Sequence, residues 1–283
     1  MITYRELINN AKKNIDKVNL EHRAAYEFLM DILNCDRAKL ILIENDEVSE
    51  DVLDKFADML SQYIFDYKPI EYVLGYTYFC GHKIYVDENT LIPRHETEEV
   101  VEAAIEVINK HGYKNILDLA SGSGAISISV KNVLPSIDII GSDISLGALK
   151  MAKRNANSVG VNVSYVESDI LDYFINHNMK FDMIISNPPY VSFDYELPND
   201  IIAHEPKIAL YAKEDGMYFY RKILEDSSKV LNKNGSIVFE IGYDQGEKIK
   251  ELASGILNNY TIEVRKDIAN NDRIVIIEFN EDK

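Results

Sequence analysis

Apolar side chains recur at helical spacing through the first 75 residues. Leu7, Ile8, Ala11, Ile15 and Val18 follow Thr3-Tyr4-Arg5-Glu6, a capping-box pattern that predicts an N-terminal helix. Ala25, Phe28, Leu29 and Ile32 share one face of a second helix over about 22–33, and a short segment at 38–43 follows. Ser49 is a suitable N-cap for a helix through Phe65. Pro69 opens a last short turn and Gly75 closes it. Segments 76–79 and 83–86 flank Cys80-Gly81-His82 and read as a hairpin.

After Pro93 and a helix over 96–110 the rhythm becomes strand, loop, helix. Strands are expected over 116–119, 137–141, 163–166, 183–185 and 236–241, with helices ending near Val133 and over 146–159, 217–231 and 247–257. A long loop is expected before the 217–231 helix. This alternation predicts a parallel sheet with right-handed crossovers. The last two strands, 260–265 and 274–279, are joined by 266–273, too short for a parallel crossover, so the final strand must run antiparallel to its neighbour. An α/β sheet that ends this way fits the methyltransferase variant of the doubly wound fold better than the dinucleotide-binding one.

Composition narrows the partners. A chain of 283 residues, 46% apolar and 27% charged, is an ordinary globular protein of about two domains. Its net charge of −17, spread over both halves, disfavours a polyanion and suits a small molecule or a basic protein. No run approaches the roughly 18 apolar residues of a membrane span, and the N-terminus has no secretory apolar core. A cytoplasmic protein without stable nucleic-acid or membrane attachment is expected. Cys35 and Cys80 show no metal-binding spacing, so reduced thiols and no metal site are expected. The acidic run 44–54 fits a solvated helix start better than a docking patch.

Four segments carry candidate chemistry. Asp118-Leu119-Ala120-Ser121-Gly122-Ser123-Gly124 ends a strand and opens a helix, where glycine lets backbone approach a ligand. The third glycine of a dinucleotide fingerprint is replaced by Ser127, and a plain tight turn would look the same. Asp143 ends the next strand, where a carboxylate can accept both ribose hydroxyls of a nucleoside or can cap the following helix. Ser168-Asp169 ends the third, close to where an adenine amine would lie, or is a simple cap. Ser186-Asn187-Pro188-Pro189-Tyr190 ends the fourth. Its two prolines fix the backbone and present the Asn187 side chain and the Pro188 carbonyl as rigid acceptors.

Asn187-Pro188-Pro189-Tyr190 in that place resembles the S-adenosylmethionine-dependent methyltransferases of planar nitrogens, adenine amines or glutamine amides. The whole chain is similar to the HemK-type glutamine methyltransferases of peptide-chain release factors. The likeness runs through the helical N-terminus, Tyr72-Val73-Leu74-Gly75, Leu91-Ile92-Pro93-Arg94 with Glu96-Thr97-Glu98, the Asp118–Gly124 loop, Glu205-Pro206 before Ala209-Leu210, Glu240-Ile241-Gly242 and Asp272-Arg273.

The resemblance implies a class I methyltransferase: a Rossmann-like seven-stranded sheet with its last strand antiparallel, a small helical N-terminal domain and a linking β-hairpin. The implied boundaries are 1–75 for substrate recognition, 76–92 for the hairpin linker and 93–283 for the methyltransferase domain. S-adenosylmethionine is the implied cofactor, held by Asp118, Ala120, Ser121, Gly122, Ser123, Gly124, Asp143, Asp169, Ile170 and Asn187. Asn187, Pro188 and Tyr190 would be catalytic and, with Pro189, would bind the substrate, a class-1 release factor. The Tyr190 ring is expected against the plane of the acceptor amide. A ribosomal-protein glutamine methyltransferase, an adenine methyltransferase of nucleic acid, and a nicotinamide dehydrogenase or non-catalytic nucleoside-binding protein are the alternatives. Three positions depart from the family pattern. Ala120 stands where glycine is usual, and a negative φ is expected there. Arg94-His95-Glu96-Thr97-Glu98 lacks the family's proline, and His204 replaces an aromatic residue before Glu205-Pro206.

Overall fold

The computed structural model describes residues 2–195 and 203–280, so part of the expected long loop, 196–202, lies outside the described residues. These residues form two compact units, 2–75 with 203–204, and 76–195 with 205–280.

The first unit is helical: α1 (Tyr4–Asp16), α2 (Arg23–Ile32), α3 (Arg37–Leu42), α4 (Glu50–Phe65) and α5 (Ile70–Leu74). The capping box forms, with the Glu6 amide donating to Thr3 Oγ1 at 3.3 Å and the Thr3 amide to Glu6 Oε2 at 2.9 Å. Ser49 occupies the N-cap of α4 but makes no side-chain bond, and Glu50 and Asp51 supply the negative charge that the helix start favours. Ile15, Phe28, Leu29 and Phe56 form the fully buried centre of this unit.

The second unit opens with β1 (Tyr76–Phe79) and β2 (His82–Tyr85), joined by a two-residue turn with Cys80 at φ 46° and Gly81 at φ 77°. The turn is tighter than the three-residue loop expected, because both central residues adopt the left-handed conformation that matches strand twist. The hairpin is part of this unit: Asn155 bonds the Tyr85 amide at 2.8 Å and the Tyr85 carbonyl at 2.9 Å.

Then follow α6 (Glu96–His111), β3 (Asn115–Leu119), α7 (Ala125–Val133), β4 (Asp138–Asp143), α8 (Leu146–Val159), β5 (Ser164–Glu167), α9 (Asp172–Asn176), β6 (Phe181–Ser186) and β7 (Val191–Ser192). After the undescribed stretch come α10 (Lys207–Leu210), β8 (Tyr211–Ala212), α11 (Tyr218–Val230), β9 (Leu231–Glu240), α12 (Gly246–Ile256), β10 (Tyr260–Lys266) and β11 (Asp272–Phe279).

The main sheet has seven strands in the order β10-β11-β9-β6-β3-β4-β5. β11 is antiparallel to both its neighbours and the other pairs are parallel. Helices α6, α7 and α8 pack together, as do α9, α11 and α12. The strands between them, such as Met183-Ile184-Ile185 and Ile237-Val238-Phe239, are wholly buried, as expected for a sheet covered on both faces. The order reverses at β3, so the carboxyl ends of β3, β4, β5 and β6 open onto one crevice, the usual ligand position in such sheets.

Candidate active site

A cavity of about 200 Å³ opens at those strand ends. Ala120 and Gly122 line it from the loop after β3, and Asp143 from the end of β4. Asp169 and Ile170 line it from beyond β5, and Asn187, Pro188 and Pro189 from beyond β6.

The loop after β3 is held by its own backbone. The Ser121 amide bonds the Ser142 carbonyl at 2.9 Å, and Ser121 Oγ bonds the Asp118 carbonyl at 2.8 Å. Ala120 has φ 59°, so the expected negative φ is corrected. The chain must turn sharply between β3 and α7, and it does so through left-handed residues at Ala120, Gly122 and Gly124. At Gly124 a Cβ would lie 2.5 Å from the Tyr165 hydroxyl, so only glycine fits. At Ala120 the side chain is tolerated at a cost of about 1–2 kcal/mol. Ala120→Gly is therefore expected to raise the unfolding free energy by about 0.5–1 kcal/mol after the added unfolded-state entropy of glycine. Urea unfolding checks this, and equal or lower stability in the variant would contradict it.

Asp118, expected among the cofactor-binding residues, does not line the cavity. Its carboxylate is fully buried beneath the loop, where Oδ2 accepts the Ser127 amide at 3.1 Å, and burial pushes its pKa up to about 6. Ser121, Ser123 and Gly124 are likewise turn-formers outside the cavity wall: Asn155 donates to the Ser123 carbonyl at 2.9 Å, and Gly124 caps α7. Hydrogen bonding within the turn uses Asp118 Oδ2 and Ser121 Oγ, while the buried Asp118 Oδ1 has no partner among the described residues.

Asp143 is held from both sides. Oδ2 accepts the Gly122 amide and Oδ1 the Ser145 amide, each at 2.9 Å. Burial raises its pKa, and these backbone donors act against the rise. Ser145, not Asp143, caps α8, accepting the Ala148 amide at 3.2 Å. Beyond β5, Ser168 is the internal anchor, its hydroxyl bonded to the Ile170 carbonyl at 2.8 Å and the Tyr173 amide at 3.2 Å. The exposed Asp169 carboxylate makes no hydrogen bond among the described residues. Ile170 has φ 45°, a strained conformation for a β-branched residue, of the kind that collects at ligand clamps.

Ser142 was not singled out from the sequence. It lines the cavity, and its buried Oγ has no partner among the described residues. An unpartnered buried hydroxyl is uncommon and suits a ligand's polar group. Together with a preorganised carboxylate at Asp143 and a free one at Asp169, it gives the donor and acceptor set that a nucleoside with two hydroxyls and an amine requires.

The loop after β6 is fixed by distant groups. Ser186 Oγ donates to the Leu119 carbonyl at 2.7 Å, and Gln245 Nε2 to the Tyr190 carbonyl at 2.9 Å. Gly216, at φ 85°, packs against the same carbonyl, where a Cβ would come within 2.1 Å. Asn187 Nδ2 donates to Thr97 Oγ1 at 3.4 Å, and neither Asn187 Oδ1 nor the Pro188 carbonyl accepts a hydrogen bond among the described residues. Tyr190 is not among the residues that line the cavity. Its hydroxyl donates to Glu240 Oε1 at 3.4 Å and its ring packs on the core. Arg94 pairs with the buried Glu205, which also accepts the Ile92 amide at 3.1 Å and so fixes the segment beyond Leu91 at the cavity wall. Sequence position alone shows none of these pairings.

Residues 6–75 match the PrmC N-terminal domain and residues 96–208 the methyltransferase small domain. The chain is 34% identical over 277 residues to a release factor glutamine methyltransferase of Enterococcus faecalis, covering 97% of this chain and 99% of that protein. A protein of the same name from Bacillus subtilis is 34% identical over 281 residues, with 97% of each chain covered. One from Clostridium acetobutylicum is 37% identical over 253 residues, with 87% of each covered. Among solved structures, a methyltransferase from Pyrococcus furiosus superposes with a TM-score of 0.51 at 17% identity, over 71% of this chain and 90% of that one. The hMettl16 catalytic domain, in complex with the MAT2A 3'UTR hairpin 6, gives 0.54 at 14%, over 83% and 84%. These two share the fold. The full-length relatives go further: this chain belongs to the release factor glutamine methyltransferase family.

Proposed function

We infer that this protein transfers a methyl group from S-adenosylmethionine to the side-chain amide nitrogen of the glutamine in the Gly-Gly-Gln motif of class-1 release factors. The observation that carries the site assignment is a pair of acceptors that take no hydrogen bond among the described residues, Asn187 Oδ1 and the Pro188 carbonyl, on a proline-stiffened loop at the cavity that Asp143 also lines. Asp143, Ser142, Asp169 and the Ala120–Gly122 turn would hold S-adenosylmethionine, which supplies an electrophilic methyl group.

The rest is done by the chain. An amide nitrogen is a weak nucleophile because its lone pair is delocalised into the carbonyl. Two acceptors that take both hydrogens of the NH₂ group favour the geometry in which that lone pair is released. As the nitrogen gains positive charge, both acceptors bind its hydrogens more strongly, which is stabilisation specific to the transition state. Pro188 and Pro189 keep the acceptors from relaxing away. The N-methylated amide then loses its extra proton to water, so no side-chain base is needed.

We assign residues 1–75 to recognition of the protein substrate, and the net charge of −17 suits a partner that itself lies against RNA. Both readings are tested by radiolabelled methyl transfer to intact release factor, its Gln→Ala variant, a short Gly-Gly-Gln peptide, ribosomal proteins and DNA. Label is expected on intact release factor and absent from the variant. Label on the variant, or preferentially on ribosomal protein or DNA, overturns the acceptor assignment. A peptide as efficient in kcat/KM as the whole factor overturns the recognition role.

A further inference from the structure

Glu240 is the last residue of β9, lies 2% exposed, and is outside the cavity wall. Its Oε2 accepts the Thr97 hydroxyl at 2.6 Å, and its Oε1 accepts the Tyr190 hydroxyl at 3.4 Å. Thr97, 4% exposed in the first turn of α6, in turn accepts Asn187 Nδ2 at 3.4 Å. Three elements distant in sequence thus converge on one amide. Resting on the glutamine methyltransferase reading above, we infer that Glu240 and Thr97 are positioning residues that set which face of the Asn187 amide, oxygen or nitrogen, is presented to the acceptor.

The direction of each hydrogen bond makes this work. An asparagine amide can turn over with little change of shape, exchanging an acceptor for a donor. Only Oδ1 can take a hydrogen from the glutamine NH₂, and a reversed Asn187 would meet that group donor to donor. The Thr97 hydroxyl has one proton, and the ionised Glu240 claims it at 2.6 Å. Thr97 Oγ1 therefore faces Asn187 as an acceptor only, and the amide must turn its nitrogen to Thr97 and its oxygen away.

A protonated Glu240 removes the instruction. Its own proton can satisfy Thr97 Oγ1, which frees the threonine proton to turn toward Asn187 and stabilise the reversed amide. Burial pushes Glu240 up to about 7, opposed by Thr97, by Arg273 on β11 and by the Tyr190 hydroxyl, with Glu96 adding to the rise. Tyr220 on α11 donates to the Glu240 carbonyl at 2.8 Å, and Asp267 partners Arg273 at 3.2 Å. The change of instruction thus falls near neutral pH.

The test compares Thr97→Val, Thr97→Ser and Glu240→Gln with the wild type, reading kcat, KM and cofactor affinity from pH 5.5 to 8.5. Thr97→Val is expected to lower kcat about 10- to 100-fold, the scale of a misdirected reacting group, with unchanged cofactor affinity, and Thr97→Ser to restore it. Wild-type kcat is expected to fall about tenfold per pH unit below the Glu240 pKa, a limb missing from Thr97→Val and Glu240→Gln. A Thr97→Val enzyme within about twofold of Thr97→Ser, against that scale, overturns the proposal. So does a limb near pH 7 that persists in Glu240→Gln, which serves if Thr97→Val does not fold.

Orientation is also read without turnover, by NMR contacts from the Asn187 side-chain NH₂ to Thr97. These are expected at pH 8, and lost at pH 5.5 and in Glu240→Gln. Contacts that ignore both changes overturn the positioning role. Failure of the wild type to label release factor would instead overturn the function, while the NMR contacts still decide whether Thr97 and Glu240 orient Asn187.

Discussion

Asn187→Ala is expected to slow methyl transfer at least ~100-fold, the scale seen when one preorganised hydrogen bond at a developing charge is lost. The change should fall on kcat and leave cofactor affinity nearly as it was. Three features confine the effect to chemistry. The loop's shape depends on Pro188, Pro189 and the bonds from Ser186 Oγ and Gln245 Nε2, none of which involves the Asn187 side chain. Among the described residues the Asn187 side chain makes one hydrogen bond, the 3.4 Å contact to Thr97, so its loss costs little stability. Asn187 is also only partly buried, so the truncation opens a small space that water can fill. Single-turnover kinetics with calorimetric titration of the cofactor separates these quantities. A variant that methylates release factor at near-normal rate would remove Asn187 from the mechanism, and one that has lost cofactor binding would move it to the cofactor site.

The parts of the molecule that could be read from the sequence are those whose signal is local. Runs such as Met183-Ile184-Ile185 announce buried strands, the Thr3–Glu6 box announces a helix start, and the short link between β10 and β11 dictates their antiparallel pairing. Elements without a repeating apolar signal were not legible. The two-residue strands β7 and β8, which pair with each other, and the four-residue helix α10 are too short to carry one. β9 begins at Leu231, earlier than expected, because Asn232-Lys233-Asn234-Gly235 reads as a turn. In the fold, Asn232 Nδ2 is tied to Asp182 at 2.7 Å, and the pairing with β6 shifts register there.

At the site, motif position identified the loops but not the duty of each residue within them. Asp118 and Asp143 both stand at strand ends with acidic side chains. One is buried beneath its loop and the other lines the cavity, a difference set by which way each side chain points once the strands pair. Likewise Thr97 and Glu240, 143 residues apart, meet only because α6 crosses the end of β9. No spacing rule encodes that meeting.

Asp143→Ala is expected to weaken S-adenosylmethionine binding by about 2–3 kcal/mol, roughly 30- to 150-fold, the range for hydrogen bonds to a charged group. The carboxylate is preorganised. The Gly122 and Ser145 amides hold its two oxygens at 2.9 Å, so little ordering remains to be done when a ligand with two adjacent hydroxyls arrives. Each oxygen keeps lone-pair capacity beyond its one backbone donor, enough to accept one hydroxyl apiece. Two effects oppose each other in the variant. The lost acceptors weaken binding, while removal of a partly buried charge relieves the desolvation that raises the Asp143 pKa. The backbone donors already offset that desolvation, so the loss of acceptors should dominate. Asp143→Asn separates shape from charge, since it keeps the size of the side chain but turns one acceptor into a donor toward either a backbone amide or a hydroxyl. It is expected to lie between wild type and alanine in affinity. Calorimetry on variants that retain wild-type thermal unfolding decides the matter. Unchanged affinity in a folded Asp143→Ala protein would leave the carboxylate as a brace for the β3–α7 and β4–α8 turns and would shift the burden of holding the ligand to Ser142 and Asp169.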